Sequence, residues 1–467
     1  MSEGIEQRSA SSWPDYRAVW RWHFYAGLFS VPFVVVLAIS GSIYLFKPQI
    51  EAWHDRPYDQ LAIQGTPTSA AEQIRAALAA LPGATFSAYE LPQAANSAAR
   101  VIVREGGKAI RVYVHPESLQ VLATVPEDER FTRLLFRLHG ELLMGDTGSM
   151  IVELAASWTI VMILTGLFLW WPRQSKGLAG VAYPRLRAGS RIFWRDVHSV
   201  TAVWISAMTL ILLLSGLPWA KSWGNYLKAV RRLTGTAVAQ QDWTTGSSRA
   251  AAPTGEGDSG EHGGHRGHSG GRRGEGDGPT PKDLTAVDRI AATVGPLGLA
   301  SPVLIAPPRR GSTNWTAKSM TANRPQRVNL VVDGASGVIT SRENFSDRHL
   351  IDRIIGTGIA LHEGQLFGWP NQLLGLVTAS GLILVSVSGV VMWWRRREQG
   401  VLGAPKSLGR PQASFGLVLF IVILGVYLPM FGTSLLLVLL AEKLLLRQIV
   451  PIRDWLGLGS PAARVVV

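Results

Sequence analysis

Two histidines stand at the head of one pattern written twice. His139 precedes Trp170 and Trp171 by 31 and 32 positions, and His362 precedes Trp393 and Trp394 by the same intervals. Thr165-Gly166 and Ser388-Gly389 fall at matching offsets, as do Gly145 and Gly368. A second pair repeats elsewhere: His23 lies 18 residues before Gly41, within Ser40-Gly41, and His198 lies 18 residues before Gly216, within Ser215-Gly216. A b-type haem needs two axial nitrogens facing each other, which the helices of a bundle can supply from inward-pointing side chains. A single histidine near a helix end is more often an interfacial residue. Four in duplicated register are different, because capping does not require the same offset twice. His23, His198, His139 and His362 are therefore read as axial ligands of haem iron. The chain has no cysteine, which removes thiolate-ligated haem, iron–sulfur clusters and covalent haem attachment.

The elements that must position these residues are membrane spans. Hydrophobic residues make up 47% of the 467, and they collect in runs long enough to cross a bilayer, where roughly 20 residues are needed. The runs are Phe24 to Phe46, Ile151 to Trp171, Val200 to Trp219 and Leu373 to Trp394. A last stretch, Phe415 to Leu446, is too long for one span and carries Pro429 and Gly432 near its middle. It reads as two closely coupled short segments. The first run exceeds a signal-peptide core and lacks a cleavage site, so it is expected to stay as an anchor.

The net charge of +13 does not indicate nucleic acid, because the cations gather beside the spans. Arg8, Arg17 and Arg21 precede the first; Arg173, Lys176, Arg185, Arg187, Arg191 and Arg195 lie between the second and third; Arg395, Arg396, Arg397, Lys406 and Arg410 follow the fourth. The positive-inside rule makes that face cytoplasmic. His23 and His198 then lie toward the cytoplasm and His139 and His362 toward the outside, which suggests two sites: His23 with His198, and His139 with His362. Stacked across the membrane, they would form an electron path. Arg21 and Arg195 flank the first pair and Arg133, Arg137 and Arg353 the second, as candidate partners of haem propionates. Gly41, Gly166, Gly216 and Gly389 read as small-residue helix contacts or as clearance for a porphyrin face. Glu153, an intramembrane acid, is a candidate proton relay or histidine partner. The paired tryptophans read as interfacial anchors, and His54, His115 and His349, with no counterpart in register, as surface residues.

Between the spans lie two regions that each read as a small α+β module. In the first, Thr68 to Leu81 is helical by spacing, Val101 to Val103 and Ile110 to Val114 flank a Gly106-Gly107 hairpin signal, and another strand follows His115-Pro116-Glu117-Ser118. In the second, Pro281 to Val294 is predicted helical, Pro302 to Ala306 and Val328 to Val332 are strands, and Val338 to Thr340 follows a turn. The segment 244–278 cannot bury a core and reads as a disordered linker; its His262, His265 and His268 are more economically a solvated tract than a metal site.

Trp20-Arg21-Trp22-His23, Ser40-Gly41, Leu138-His139-Gly140, Thr165-Gly166 and Trp170-Trp171, with their second copies at His198, His362, Ser388-Gly389 and Trp393-Trp394, resemble the PepSY-associated transmembrane family. Its members include inner-membrane ferric-siderophore reductases with b-type haems, such as the ferrioxamine B reductase. The resemblance implies an α-helical integral membrane protein: a duplicated two-span unit forming a four-helix haem-binding bundle, one or two C-terminal membrane helices, and two small α+β PepSY-like outer domains. The expected order is a cytoplasmic tail (1–18), a span (19–46), a periplasmic PepSY-like domain (47–148), a span (149–171), a basic loop (172–193) and a span (194–219). A second PepSY-like domain (220–368) with the insert 244–278 follows, then a span (369–394), a basic loop (395–411), a C-terminal helix or hairpin (412–447) and a tail (448–467). The C-terminal region and the insert depart from a minimal four-span member.

The implied activity is haem-dependent reduction of ferric iron, held as a ferric-siderophore or other ferric chelate, at the periplasmic face of a bacterial inner membrane, with two haem b groups. No G-x-G-x-x-G fingerprint follows a strand, so the donor would be a quinol in the membrane lipid or a cytoplasmic reductase. Two other readings stay open at this point: a non-catalytic, membrane-anchored PepSY regulator of a protease, and an accessory of iron-chelate transport. Against the last, the spans hold few charges beyond Glu153 and no ion-coupling pair.

Overall fold

The structure, a computed structural model, describes residues 16–172, 177–236, 283–308, 312–405 and 415–458. The segment 244–278, with His262, His265 and His268, and the cations Arg8, Arg173, Lys176, Lys406 and Arg410 lie outside the described residues. In chain order, α1 (Tyr16–Tyr44) leads into α2 (Lys47–Asp55) and α3 (Ala70–Ala80). Strands β1 (Thr85–Glu90), β2 (Ala99–Glu105), β3 (Lys108–Val114) and β4 (Val121–Pro126) follow, then α4 (Phe131–Glu141), α5 (Gly145–Trp170), α6 (Ser190–Gly216) and α7 (Lys221–Leu233). The second half runs through α8 (Thr285–Val294), β5 (Val303–Ala306), β6 (Asn314–Ser319), β7 (Val328–Asp333), β8 (Ile339–Asn344), α9 (Leu350–His362) and α10 (Trp369–Arg396). The chain closes on α11 (Phe415–Tyr427), α12 (Pro429–Ala441) and α13 (Val450–Leu456).

Among the described residues, five helices are long and apolar enough to cross a membrane: Tyr16–Tyr44, Gly145–Trp170, Ser190–Trp219, Trp369–Arg396 and Pro429–Leu446. The chain divides into two compact units, one of Met1–Ile39, Asp146–Tyr226 and Val377–Val467, the other of Ser40–Gly145 and Leu227–Leu376.

The first unit is helical. Its C-terminal stretch breaks at Leu428-Pro429 into α11 and α12, as Pro429 requires. Gly425 and Gly432 let the two arms touch: a Cβ on Gly432 would lie 2.7 Å from the Gly425 carbonyl. The first arm, of 13 residues, is about 20 Å long, short of the roughly 30 Å hydrocarbon core, whereas the second continues through Leu446 as an apolar stretch of 18 residues. Trp158 Nε1 donates to Ser434 Oγ at 3.0 Å and Trp223 Nε1 to the Tyr427 carbonyl at 2.9 Å, fastening the arms to α5 and α7. The chain end returns to α1, where Tyr25 Oη donates to the Leu456 carbonyl at 2.5 Å.

The second unit is built on a sheet. The two α+β modules expected from the sequence are one structure: an eight-stranded sheet in the order β4-β3-β2-β1-β5-β6-β7-β8. The join is the antiparallel β1–β5 pair, in register at Tyr89↔Ile305 and Glu90↔Leu304. Strands β1 and β6 are additions to the elements read from sequence. Helices α3 and α8 cover one face and share one core, in which Ile74, Phe86, Val101 and Val112 meet Ile290, Ile305, Trp315 and Leu330. The α3 start is set by a capping box between Ser69 and Glu72. Asp288 of α8 accepts the Ala71 N–H at 3.1 Å, so the second half completes the cap of the first. The β2–β3 turn uses Gly106 and Gly107 at φ +56° and +81°, the left-handed pair a two-residue hairpin demands.

Each half of the sheet ends by leading into a helix that bears a histidine. Edge strand β4 passes through a 3-10 turn (Glu127–Glu129) into α4, and edge strand β8 through Phe345–Asp347 into α9. The span that follows each of these helices starts at or just after a glycine with positive φ, Gly145 at +61° and Gly368 at +67°, where a side chain would be strained.

Candidate functional site

The helical unit brings together His23 of α1 and His198 of α6. Their ring centres lie 6.3 Å apart with planes crossing at 87°. Each ring is oriented by a neighbouring span. His23 Nδ1 lies 3.1 Å from the Met162 carbonyl and 3.1 Å from Thr165 Oγ1 on α5. His198 Nδ1 lies 3.0 Å from the Val385 carbonyl and 3.3 Å from Ser388 Oγ on α10. A carbonyl only accepts, so Nδ1 carries the proton in both rings and Nε2 keeps its lone pair. The hydroxyls agree. Thr165 already donates to Val161 or Met162 and Ser388 to Val385, leaving only lone pairs for the imidazole.

The glycine of each Ser/Thr-Gly pair is a seat for the histidine ring itself. A Cβ on Gly166 would come within 3.2 Å of His23 Cε1, and one on Gly389 within 3.3 Å of His198 Cε1. These glycines make room for the imidazole itself.

The sheet unit brings together His139 of α4 and His362, the last residue of α9. Their ring centres are 6.1 Å apart and the planes again cross at 87°. The last turn of α1 supplies a Ser-Gly seat: Ser40 Oγ is 3.1 Å from His139 Nδ1, and a Cβ on Gly41 would be 3.0 Å from His139 Cε1.

An edge-to-face ring pair needs no metal, and these separations fall within that range. Three features favour a gripped ion instead. In His23 and His198, Nδ1 is committed to a carbonyl and a hydroxyl, in the manner of metal-bound histidine. Two sites in different surroundings share one spacing and one crossing angle. And an imidazole nitrogen bonds a first-row metal at about 2 Å while lying about 1 Å from its own ring centre, so two rings on one iron have centres about 6 Å apart. Among the described residues, no group of three or more His, Cys, Asp or Glu side chains is placed to hold a metal ion.

The flanking arginines divide. Arg21 donates to the carbonyls of Pro405 at 2.6 Å and Gly457 at 3.0 Å, tying down the chain end. Arg195 pairs with its neighbour Asp196 at 2.8 Å. Asp196, which sequence reasoning passed over, is fully buried and also takes Arg185 at 2.7 Å; it fastens the loop between α5 and α6. Arg133 meets Asp128 at 3.5 Å, and Arg353 is exposed. Arg137 is the exception: its Nε is buried with no hydrogen-bond partner, two residues from His139.

Glu153 is neither a relay nor a histidine partner here. Its Oε2 accepts the backbone N–H groups of Ser222 at 2.9 Å and Trp223 at 3.1 Å, capping the first turn of α7 from α5, as helix N-termini require. The tryptophan pairs also split their tasks. Trp170 Nε1 donates to the Val181 carbonyl at 3.2 Å and Trp393 Nε1 to the Leu402 carbonyl at 2.7 Å, each clamping the loop that follows. Trp171 and Trp394 stay exposed, as interfacial anchors would. His115 and His349 close turns, accepting backbone N–H groups at Nδ1, and His54 rests on Trp53.

A sequence profile described as the PepSY-associated TM region matches residues 20–396, which takes in both histidine pairs and the whole sheet. No curated protein matches the chain.

Proposed function

Given that this multi-pass membrane protein belongs to the PepSY-associated transmembrane family, we propose that it is an electron-transfer protein of iron acquisition. It would hold two b-type haems and reduce ferric iron, presented as a ferric-siderophore, at the periplasmic face of a bacterial inner membrane. One observation carries the reading: facing imidazoles, alike in spacing and angle, occur once in each unit.

Bound haem would supply one-electron oxidation and reduction at its iron. The chain's own residues supply the rest. His23 with His198, and His139 with His362, would hold the two groups. Met162, Val385 and the hydroxyls of Thr165, Ser388 and Ser40 hold the rings in place, and a carbonyl accepting from Nδ1 raises the basicity of the nitrogen that faces the iron. Gly166, Gly389 and Gly41 let the rings approach the helix backbone. Arg137 offers the second pair a buried N–H without a partner, which suits a carboxylate at the rim of the group. Two histidines for each group would suit electron transfer. Reduction frees iron because hard oxygen ligands hold ferric ion far more tightly than ferrous ion. The donor is a quinol or a cytoplasmic reductase.

Absorption spectra of the detergent-purified protein, oxidised and dithionite-reduced, with haem quantified as the pyridine complex, test the reading. Two haems per chain with a sharp reduced α-band are expected. A colourless protein that stays empty when haem is supplied during expression overturns it and favours a haem-free regulator.

A further inference from the structure

Where α1 turns into α2, the sheet unit holds a lysine that the four histidines do not account for. Tyr44 lies one helical turn beyond the Ser40-Gly41 seat of His139. Its ring meets that of Phe136 at 6.0 Å, and Phe136 stands one turn before His139 on α4, so the two contacts are successive rungs between the same helices. Lys47 Nζ sits 5.7 Å from the Tyr44 ring centre and hydrogen-bonds its hydroxyl. Two carboxylates complete the group: Glu51, one turn along α2, and Glu363, the residue after His362. Glu51 is itself tied to α4, accepting from Thr132 Oγ1 at 2.7 Å.

The junction is firmly seated. The Leu45 carbonyl accepts from Gln365 Nε2 at 3.2 Å and Gln372 Nε2 at 3.0 Å. A Cβ on Gly364 or Gly375 would strike the Leu45 side chain at 2.8 and 2.9 Å. Lys47 is thus fixed where the seat of His139 and the end of the His362 helix converge. Tyr44 beside it, with Glu51 and Glu363, holds its ammonium well above the usual lysine range, against the burial that would lower it; it is a permanent charge.

We propose that Lys47 is an electrostatic positioning residue that raises the reduction potential of the centre held by His139 and His362. A fixed cation beside a redox site favours the form with one more electron, and it acts strongly where water is scarce. The assignment rests on the haem reading above.

The test is spectroelectrochemical titration of the purified protein against Lys47→Gln, Lys47→Arg and Glu51→Gln, with the two centres told apart by a His139→Ala protein that keeps only the other. Lys47→Gln should make the His139–His362 centre about tenfold harder to reduce at a fixed ambient potential, about 59 mV for a one-electron couple, and leave the His23–His198 centre in place. Lys47→Arg should hold the wild-type value. Glu51→Gln, which removes a negative charge, should shift the same centre the opposite way, and it decides the matter if Lys47→Gln does not assemble. Unchanged potentials, equal shifts at both centres, or shifts of one sign in Lys47→Gln and Glu51→Gln overturn the Lys47 assignment alone. A wild-type protein without haem overturns the haem reading, and this assignment with it.

Discussion

The His23–His198 and His139–His362 pairs present one geometry on two kinds of support. His23 and His198 lie about two turns inside long apolar helices, and each is gripped by another long helix through a carbonyl, a hydroxyl and a glycine. His139 and His362 ride on short helices of 11 and 13 residues that continue from the outermost strands of the sheet. The first pair depends on helix register alone. The second depends on how the sheet delivers its helices, and there ion pairs take part. Arg111 bridges Glu90 and Glu127 at 2.6 Å each, and Arg130 reaches Asp55 at 3.4 Å. On the α9 side, buried Arg231 clamps Asp352 at 2.7 and 2.9 Å. One ring spacing and one crossing angle thus recur on different foundations.

The most severe way to break the comparison is to remove a ligand. His23→Ala or His198→Ala should leave one haem per chain, with the spectrum of the other pair; His139→Ala or His362→Ala should leave the complementary one. If any of the four leaves both haems intact, that histidine is not a ligand. Next come the seats. Gly41→Ala, Gly166→Ala and Gly389→Ala raise helix propensity by about 1 kcal/mol while pressing a methyl against an imidazole. Each should lower haem content at its own site in a protein that is no less stable, and Gly41→Ala, with the closest approach at 3.0 Å, should act most strongly. Haem content against thermal melting separates the two effects.

A third variant tests the supports. Arg111→Ala removes the guanidinium that buried Glu90 and half-buried Glu127 share, leaving Glu90 only the longer 3.9 Å contact with Arg100, a loss of about 3 kcal/mol, and should loosen haem at His139–His362 only. Acid should do the same by degrees. Burial works against ionising Glu127, yet Arg111 and Arg130 hold its carboxyl below the usual range. Its stabilisation is therefore full above about pH 4.3 and drains away as pH falls through the lowered value. Haem release followed against pH should affect the sheet-supported site alone in that window, and Arg111→Ala should shift the loss to higher pH. The smallest effect is expected for Thr165→Val. It removes one acceptor from His23 while the Met162 carbonyl remains, so haem affinity should fall by no more than about tenfold.

The four histidines were legible because duplication repeats their spacing to the residue, and spacing survives where side-chain contacts are invisible. Four of the long helices were legible from apolar length, and the break at Pro429 from proline itself; the helix Pro429–Leu446 was expected as one of two short segments and is longer than that. The union of the two modules was not, since β1 and β5 meet through two register pairs far apart in sequence, and strand patterns carry no record of which edge pairs with which. Glu153 resembled a functional acid because burial in a span is visible in the sequence; the α7 backbone groups it caps are not. Asp196 was hidden among juxtamembrane arginines whose collective sign is topological, although two of them serve it individually. Lys47 carried no repeat partner and no motif, and only the fold places it beside His139's seat.

The β1–β5 pair also sets an order of manufacture. Strand β1 leaves synthesis long before β5 exists, with α5 and α6 still to be made. Until β5 arrives, β1 is an open sheet edge, the kind of surface that invites wrong partners, and α3 lacks the Asp288 side chain that completes its cap. Closure waits on a contact of very large sequence separation, which is intrinsically slow to form. Only a chain complete through its second half can seal the sheet, so a product truncated before β5 would keep β1 as an open edge.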